Sequence, residues 1–367
     1  MKNEAKLLLH ILRRKRVKRK ELEELLDVTP STMTYLVDKL RDYLGIEEET
    51  SGVGKPPQFL TISKNAWRIL SISVGREKIR AVIYNGHGEE QESYVQRVRS
   101  EHLSGEVIND LLLSILEKFY DYDALGIAFS GLVVGDKVHS KILKLDGYDP
   151  VRGLRLKSRD VPYVVISDVE AIAAYESKTT GKDRVFVLNY GTGLGACYYE
   201  HHALFTRDEF KNIPFGHMYA GGDEKCYCGN VGCLETVASD YVAVKNYLKR
   251  EISFVEFIEN EEQFADELRT VRSMYKSNSK KYDQLHEQIF GYLSMFVGNT
   301  AILLGVDEIT LYGEGVSEHF CNRLQAKVRE RFGRDLVKIR NGNASDAVER
   351  GVSLEAAIAL VRSRFGK

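Results

Sequence analysis

Apolar residues recur at helical spacing through the start of the chain. Leu7, Leu8, Ile11 and Leu12 line one stripe, and Leu22, Leu25 and Leu26 line a second. Thr29-Pro30 then reads as a helix cap followed by proline at the first helical position. The helix it starts places Met33, Leu36, Val37 and Leu40 on one face and Ser31, Thr34, Tyr35 and Asp38 on the other. Three short helices with a tight turn at Asp27-Val28 make a helix-turn-helix pattern. Gly45, Gly52, Gly54 and the Lys55-Pro56-Pro57 break then predict a small β-wing ending in a strand over residues 58–62.

From Ala66 the period changes. Residues 69–74 and 79–84 read as strands around a turn, and Asn85 to Gly88 as a second turn. A helix over 105–119, a buried strand over 125–129 ending in Ser130-Gly131, a strand over 164–167 and a helix over 169–177 follow. Residues 185–199 repeat the strand-turn-strand unit around Gly191-Thr192-Gly193-Leu194-Gly195, which suggests two similar halves. A long helical stretch over 234–304 leads to a strand over 309–311, the turn Gly313-Glu314-Gly315 and a last helix from about Ala347.

Composition adds limits. Hydrophobic residues at 43% and charged residues at 29% fit a folded chain in water. No apolar run approaches the roughly 18 residues of a membrane span. Leu7 to Leu12 is too short for a signal-peptide core, so a cytoplasmic protein without membrane partners is expected.

The net charge of -1 hides a local excess. Arg13, Arg14, Lys15, Arg16, Lys18, Arg19 and Lys20 crowd one run of eight residues. Such a run alone fits a solvated loop or helix end. Beside a polar-faced third helix and a wing, it predicts DNA binding. Arg13, Arg14, Arg16, Lys18, Arg19 and Lys20 would meet phosphates, while Ser31, Thr34 and Tyr35 would read bases.

Three of five cysteines, Cys226, Cys228 and Cys233, fall within eight positions. With His217 they offer three thiolates and an imidazole, a common closed set for structural zinc. Gly229 and Gly232 let the chain turn tightly enough to bring the third thiolate round. Cys197 and Cys321 stand alone and read as small buried residues.

The stretch from Gly216-His217 through Cys-Tyr-Cys-Gly-Asn-Val-Gly-Cys-Leu-Glu-Thr to Ser239 resembles the signature of the ROK family, named for repressors, open reading frames and kinases. The resemblance implies an α/β chain with an N-terminal winged helix-turn-helix and a two-lobed actin-like, ribonuclease-H-like sugar-kinase fold. It implies a winged helix over 1–63, a smaller lobe over 64–180 rejoined by the helix 347–367, and a larger lobe over 181–346 carrying the zinc. By the same resemblance His217 and the three cysteines match zinc ligands. Ser167, Asp168, His217 and Glu235 match the sugar side, and Asp168 is the general base of the kinases. Gly191, Thr192, Gly193 and Gly195 resemble a phosphate loop, which also reads as a plain hairpin turn, and Gly313 and Gly315 an adenosine-side loop.

Departures from the kinase pattern are concentrated where ATP would bind. The first phosphate motif, D-x-G-G-T, is Ser73-Val74-Gly75-Arg76-Glu77 here. The magnesium-holding aspartate is a serine, and Glu77 adds negative charge near a polyphosphate. At an effective dielectric near 20, a like charge about 4 Å away costs roughly 4 kcal/mol. The family's E-x-G-H is Pro214-Phe215-Gly216-His217, and its Asn-Asp pair is Ser167-Asp168. Asp168 also reads as a helix N-cap. The expectation is a sugar-responsive repressor, dimeric or a dimer of dimers, binding a double-stranded operator and a small sugar. An active sugar kinase using Mg-ATP is the alternative, and a DNA-binding protein without a small ligand is a third reading.

Overall fold

The computed structural model describes residues 1–49, 57–98, 103–135, 137–200, 209–342 and 344–366. It divides into two compact units, the first taking Met1–Asp183 and Ser345–Lys367, the second Arg184–Glu200 and Phe210–Ala344.

Unit 1 begins with α1 (Asn3–Arg14), β1 (Arg16–Lys18), α2 (Arg19–Leu26), α3 (Pro30–Lys39), β2 (Leu44–Glu48) and β3 (Gln58–Ile62). The strands pair antiparallel in the order β1-β3-β2, so part of the basic run is a strand with Val17 buried beneath it. Leu7, Leu8 and Ile11 are fully buried, whereas Leu25 is 37% exposed, reducing the second stripe to Leu22 and Leu26. Asp27 adopts the left-handed conformation (φ 52°) that ends α2, as short polar residues tolerate. The Thr29 side chain accepts the Thr32 N–H at 3.2 Å, and Pro30 opens α3 as expected. The expected wing tip, with Gly52, Gly54, Lys55 and Pro56, lies outside the described residues.

The body of unit 1 runs through β4 (Arg68–Val74), β5 (Lys78–Asn85), β6 (Glu90–Arg97), α4 (Gly105–Lys118) and β7 (Ala124–Phe129). Short strands β8 (Leu132–Val134), β9 (Lys137–Ser140) and β10 (Leu145–Tyr148) form a separate sheet, followed by α5 (Pro150–Gly153), β11 (Tyr163–Ser167) and α6 (Asp168–Thr180). The main sheet has the order β11-β7-β4-β5-β6. Strand β6 escapes the sequence pattern because it is an edge, mostly exposed, held to β5 by backbone pairing.

Unit 2 contains β12 (Arg184–Tyr190), β13 (Leu194–Glu200), β14 (Glu209–Ile213), α7 (Leu234–Ala238), α8 (Asp240–Leu248), α9 (Phe254–Glu259) and α10 (Ala265–Ser273). Then come α11 (Ser279–Leu304), β15 (Glu308–Tyr312), α12 (Glu318–Phe332) and β16 (Lys338–Asn341). Its sheet order, β14-β13-β12-β15-β16, resembles that of unit 1, with an antiparallel hairpin, β12–β13, extended by two parallel strands on the side of β12. The stretch over 234–304 is broken rather than continuous. Lys249 (φ 52°) closes α8, the Ser253 side chain caps α9, and Asn278 accepts the Lys281 N–H to start α11. Among the described residues no helix is long and apolar enough to cross a membrane.

The chain ends in α13 (Ala347–Phe365), which returns to unit 1. It packs on α6, β4, β7 and α1. A Cβ at Gly351 would lie 1.7 Å from the Ala171 carbonyl oxygen, and one at Gly126 would lie 2.6 Å from the Val352 carbonyl oxygen. Both glycines therefore set how closely α13 seats. The Phe365 ring meets Tyr43 edge-on at 5.0 Å, joining the helix end to the N-terminal elements. Gly351→Ala should force α6 and α13 apart and destabilise unit 1 by about 3 kcal/mol. A calorimetric scan should show its transition fall by roughly 6–12 °C; an unchanged transition would mean that the helices separate freely.

Candidate functional site

In unit 1, β7 and β11 run parallel with Phe129 opposite Ser167, so both chains leave the sheet at one level. Ligand clefts of open α/β sheets form at such carboxyl ends. The Ser167 side chain accepts the Glu170 N–H at 3.3 Å, and the Glu170 carboxylate accepts the Ser167 N–H at 2.7 Å. This reciprocal cap corrects the N-cap reading of Asp168: Ser167 is the cap, and Asp168 is the first helical residue. Ser167 is fully buried, its hydroxyl engaged by that cap.

Asp168 is thereby left to work with Ser130, a residue to which the sequence reading gave no role. The Ser130 hydroxyl donates to Asp168 Oδ2 at 2.9 Å, and the Val169 N–H donates to Oδ1 at 2.9 Å. Burial pushes the Asp168 carboxyl up to about 6, against the opposing pull of these two donors. A carboxylate balanced near that pH can accept a hydroxyl hydrogen bond or its proton. The position of Ser130 after a buried strand was the available signal for it.

At the end of β4 the Ser73 hydroxyl donates to Glu349 Oε1 at 2.8 Å, and Arg80 Nη1 lies 3.7 Å from the same oxygen. Glu349, on α13, is 4% exposed. Where the resemblance calls for a magnesium-holding aspartate, this chain has a hydroxyl tied to an internal carboxylate.

Unit 2 carries a cluster of one histidine and three cysteines. His217, Cys226, Cys228 and Cys233 bring their ligand atoms within 4.8 Å of one another, a cluster that could hold a metal ion. Cys226 and Cys233 are buried and Cys228 is exposed. Burial pushes the Cys226 thiol well up and Cys233 up to about 11, so a bound cation would favour the thiolate form of these two. Glu235 is 1% exposed. Its Oε1 lies 3.0 Å from His217 Nδ1 and accepts from Cys226 Sγ at 2.9 Å. That hydrogen bond to Glu235 raises the His217 imidazole above its usual range.

Gly191, Thr192 and Gly193 form the turn of the β12–β13 hairpin, and Gly195 is the second residue of β13. Gly313 (φ 123°) would bring a Cβ within 1.8 Å of the Tyr190 carbonyl oxygen, so the turn holding Gly313 and Gly315 presses on the first.

The expected DNA-facing residues divide by exposure. Ser31, Thr34 and Tyr35 are exposed on α3, as are Arg14, Arg16, Lys18 and Lys20. Arg13 is 8% exposed and belongs to the packing of α1 instead. Arg19 donates to Thr34 Oγ1 at 2.6 Å and pairs with Glu23, tying α2 to α3. Arg16 lies over the Phe59 ring at 3.6 Å and pairs with Glu47 and Glu49. The run is therefore partly neutralised by the chain itself.

Cys233→Ser should lower bound transition metal from about one ion per chain to a small fraction. Elemental analysis after gel filtration reads this directly; full retention would remove Cys233 from the ligand set.

Comparison with known proteins agrees with this arrangement. A profile described as "ROK family" matches residues 69–353. The chain is 26% identical over 270 residues to the xylose repressor of Bacillus subtilis (strain 168), covering 68% of each chain. A solved structure of a ROK family transcriptional regulator, described as a homologue of the Escherichia coli Mlc protein, superposes with a TM-score of 0.71 at 19% identity, over 94% of this chain and 92% of that one. A ROK hexokinase from Thermus thermophilus superposes with a TM-score of 0.61 at 18% identity, over 79% of this chain and 98% of that one. The matched profile spans most of the chain, and the chain belongs to the ROK family.

Proposed function

We propose that this protein is a sugar-responsive transcriptional repressor with a kinase-like body that no longer uses ATP. The observation that carries the reading is the N-terminal head. Ser31, Thr34 and Tyr35 stand exposed on α3, and Arg16 and Lys18 stand exposed on strand β1, which suits a winged helix-turn-helix. The relative named xylose repressor supports it. A homodimer, or a dimer of dimers, would place two such helices in successive turns of the major groove. Such a protein would work in the cytoplasm.

Sugar would meet Asp168 at the strand ends of unit 1. Helix α6 starts at Asp168 and packs along α13, and α13 packs on α1 of the head. A sugar that binds one arrangement of this stack better than another would shift the head between DNA-binding and released states.

Zinc suits the Cys3His set. Cys228 Sγ and Cys233 Sγ are 3.7 Å apart, matching the edge of roughly 3.8 Å of a tetrahedron with Zn–S bonds of about 2.3 Å. Four protein ligands close the site to water. The ion would then hold the loop carrying His217 and leave catalysis aside.

One observation favours a second reading, an active sugar kinase: Asp168, with its carboxyl near 6, suits a general base. Ser73, bound to Glu349, opposes it, since phosphoryl transfer depends on a metal neutralising developing charge.

Selection of binding sites from random duplex DNA by the zinc-loaded protein, repeated with a panel of monosaccharides, separates the readings. Enrichment of one sequence, lost with one sugar, is expected. Tyr35→Ala should then weaken that binding by about 1–3 kcal/mol and relax the sequence preference. Sugar phosphorylation from Mg-ATP without sequence enrichment would replace the repressor reading with the kinase one.

Sugar affinity should also depend on pH. Below about 6 Asp168 takes up a proton and loses an acceptor, so binding should weaken as pH falls from 7 to 5. Calorimetric titration of Asp168→Asn should show a weak affinity without that slope; a slope that persists would assign it to another group.

A further inference from the structure

The cysteine loop of unit 2 holds thiols that differ in access. Cys226 and Cys233 are buried and Cys228 is exposed. The backbone gives the reason. The Cys226 N–H donates to the Asn230 carbonyl at 2.9 Å, and Lys225 bridges Val231. Residues 226–230 therefore form a tight turn with Cys228 near its tip. Gly229 completes it in the left-handed region (φ 94°), where a Cβ would meet nothing within 4 Å. Cys228, Gly229, Asn230 and Val231 are all exposed. Cys233 instead stands at the N-terminal cap of α7, where the Thr236 hydroxyl and N–H both donate to its carbonyl.

The sulfurs also have different neighbours. Cys226 Sγ donates to Glu235 Oε1 at 2.9 Å and lies 3.6 Å from His217 Nδ1. Cys228 Sγ faces Cys233 Sγ at 3.7 Å. A disulfide needs about 2.05 Å, a gap that a small turn of the exposed tip closes. Zinc is bound by thiolates, and the thiolate is the form of cysteine that attacks oxidants. An accessible thiolate with a second sulfur beside it is the arrangement of an oxidation-sensitive cysteine.

We propose that Cys228 is a peroxide-reactive residue with Cys233 as its resolving partner, so that oxidation empties the site of zinc. The Cys228 sulfur attacks one oxygen of hydrogen peroxide and the O–O bond breaks. The sulfur becomes a sulfenic acid, and the other oxygen leaves as hydroxide. The Cys233 sulfur then attacks that of Cys228, forming the disulfide and expelling a second hydroxide. Two electrons pass from the sulfurs to the peroxide. His217 and Cys226 remain, too few ligands to retain the ion. A dithiol reductant reverses the change by exchange. The inference rests on the zinc reading of the cluster and not on DNA recognition or sugar binding.

The test treats the full-length, zinc-loaded protein with hydrogen peroxide. Released zinc is read with a colorimetric chelator, and the cysteines are mapped by mass spectrometry after alkylation. Loss of about one zinc ion per chain is expected, with Cys228 joined to Cys233 and with Cys197, Cys226 and Cys321 still free to alkylate. A dithiol reductant with added zinc should restore the metal. Cys228→His keeps four ligands, two sulfurs and two imidazoles, and should hold its zinc through the same treatment. Should that variant bind no zinc at the start, the wild-type map decides alone. Zinc kept by the wild type, a disulfide that includes Cys226, or equal loss from wild type and Cys228→His would overturn the proposal. A wild-type protein that never takes up zinc removes the zinc reading itself, and the inference with it.

Discussion

The close seating of α13 is the constraint on which the rest of unit 1 depends. Gly351 lets it touch the backbone of α6, and Gly126 lets β7 reach the backbone of α13 from the other side. No side chain, even a methyl group, fits at either point without displacing backbone. The last helix of the chain thereby locks the helix that begins at Asp168 to the sheet. Through α1 and the Tyr43–Phe365 contact it also fastens the N-terminal head. Between Asp168 and the head, α6, α13 and α1 are thus packed in series.

Charge is arranged differently in the two units. In unit 1, Glu349 accepts from Ser73 and faces Arg80, so the end of β4 is engaged by the chain's own last helix. In unit 2, Asp240 and Glu314 share Arg272 between the glycine turns. Both arrangements pair a buried carboxylate, Glu349 or Asp240, with an arginine of the same unit. The cysteine cluster is the opposite case. Burial holds the Cys226 and Cys233 thiols above their usual range, a cost of ionisation that a bound cation would offset.

Local signals were readable wherever a residue type has one strong physical preference. Thr29-Pro30 capped α3, and its apolar and polar faces came out as spaced. The cysteine spacing and His217 converged as the glycine turns suggested. Other elements gave no such signal. Strand β6 is polar because one edge of the sheet meets water, and strands β8 to β10 are too short to show a period. The run over 234–304 reads as helix throughout because its breaks use Lys249, Ser253 and Asn278 rather than proline or glycine. The Asp168 cap reading failed because serine and aspartate cap equally well, and only Glu170 folding back chose between them.

By itself the sequence determined the helices of the head, the strand-turn-strand repetition, the clustering of His217 with three cysteines and the absence of a D-x-G-G-T motif at Ser73 to Glu77. Each depends on neighbours along the chain or on the chemistry of single residues. The tertiary structure alone decided that Arg13 is packed while Arg14 is exposed, that Ser130 serves Asp168, and that Glu349 answers Ser73 across 276 positions. It also set Arg272 between two turns that lie far apart in sequence. Such pairings depend on which strands and helices become neighbours, a property of topology and close packing that no local pattern carries.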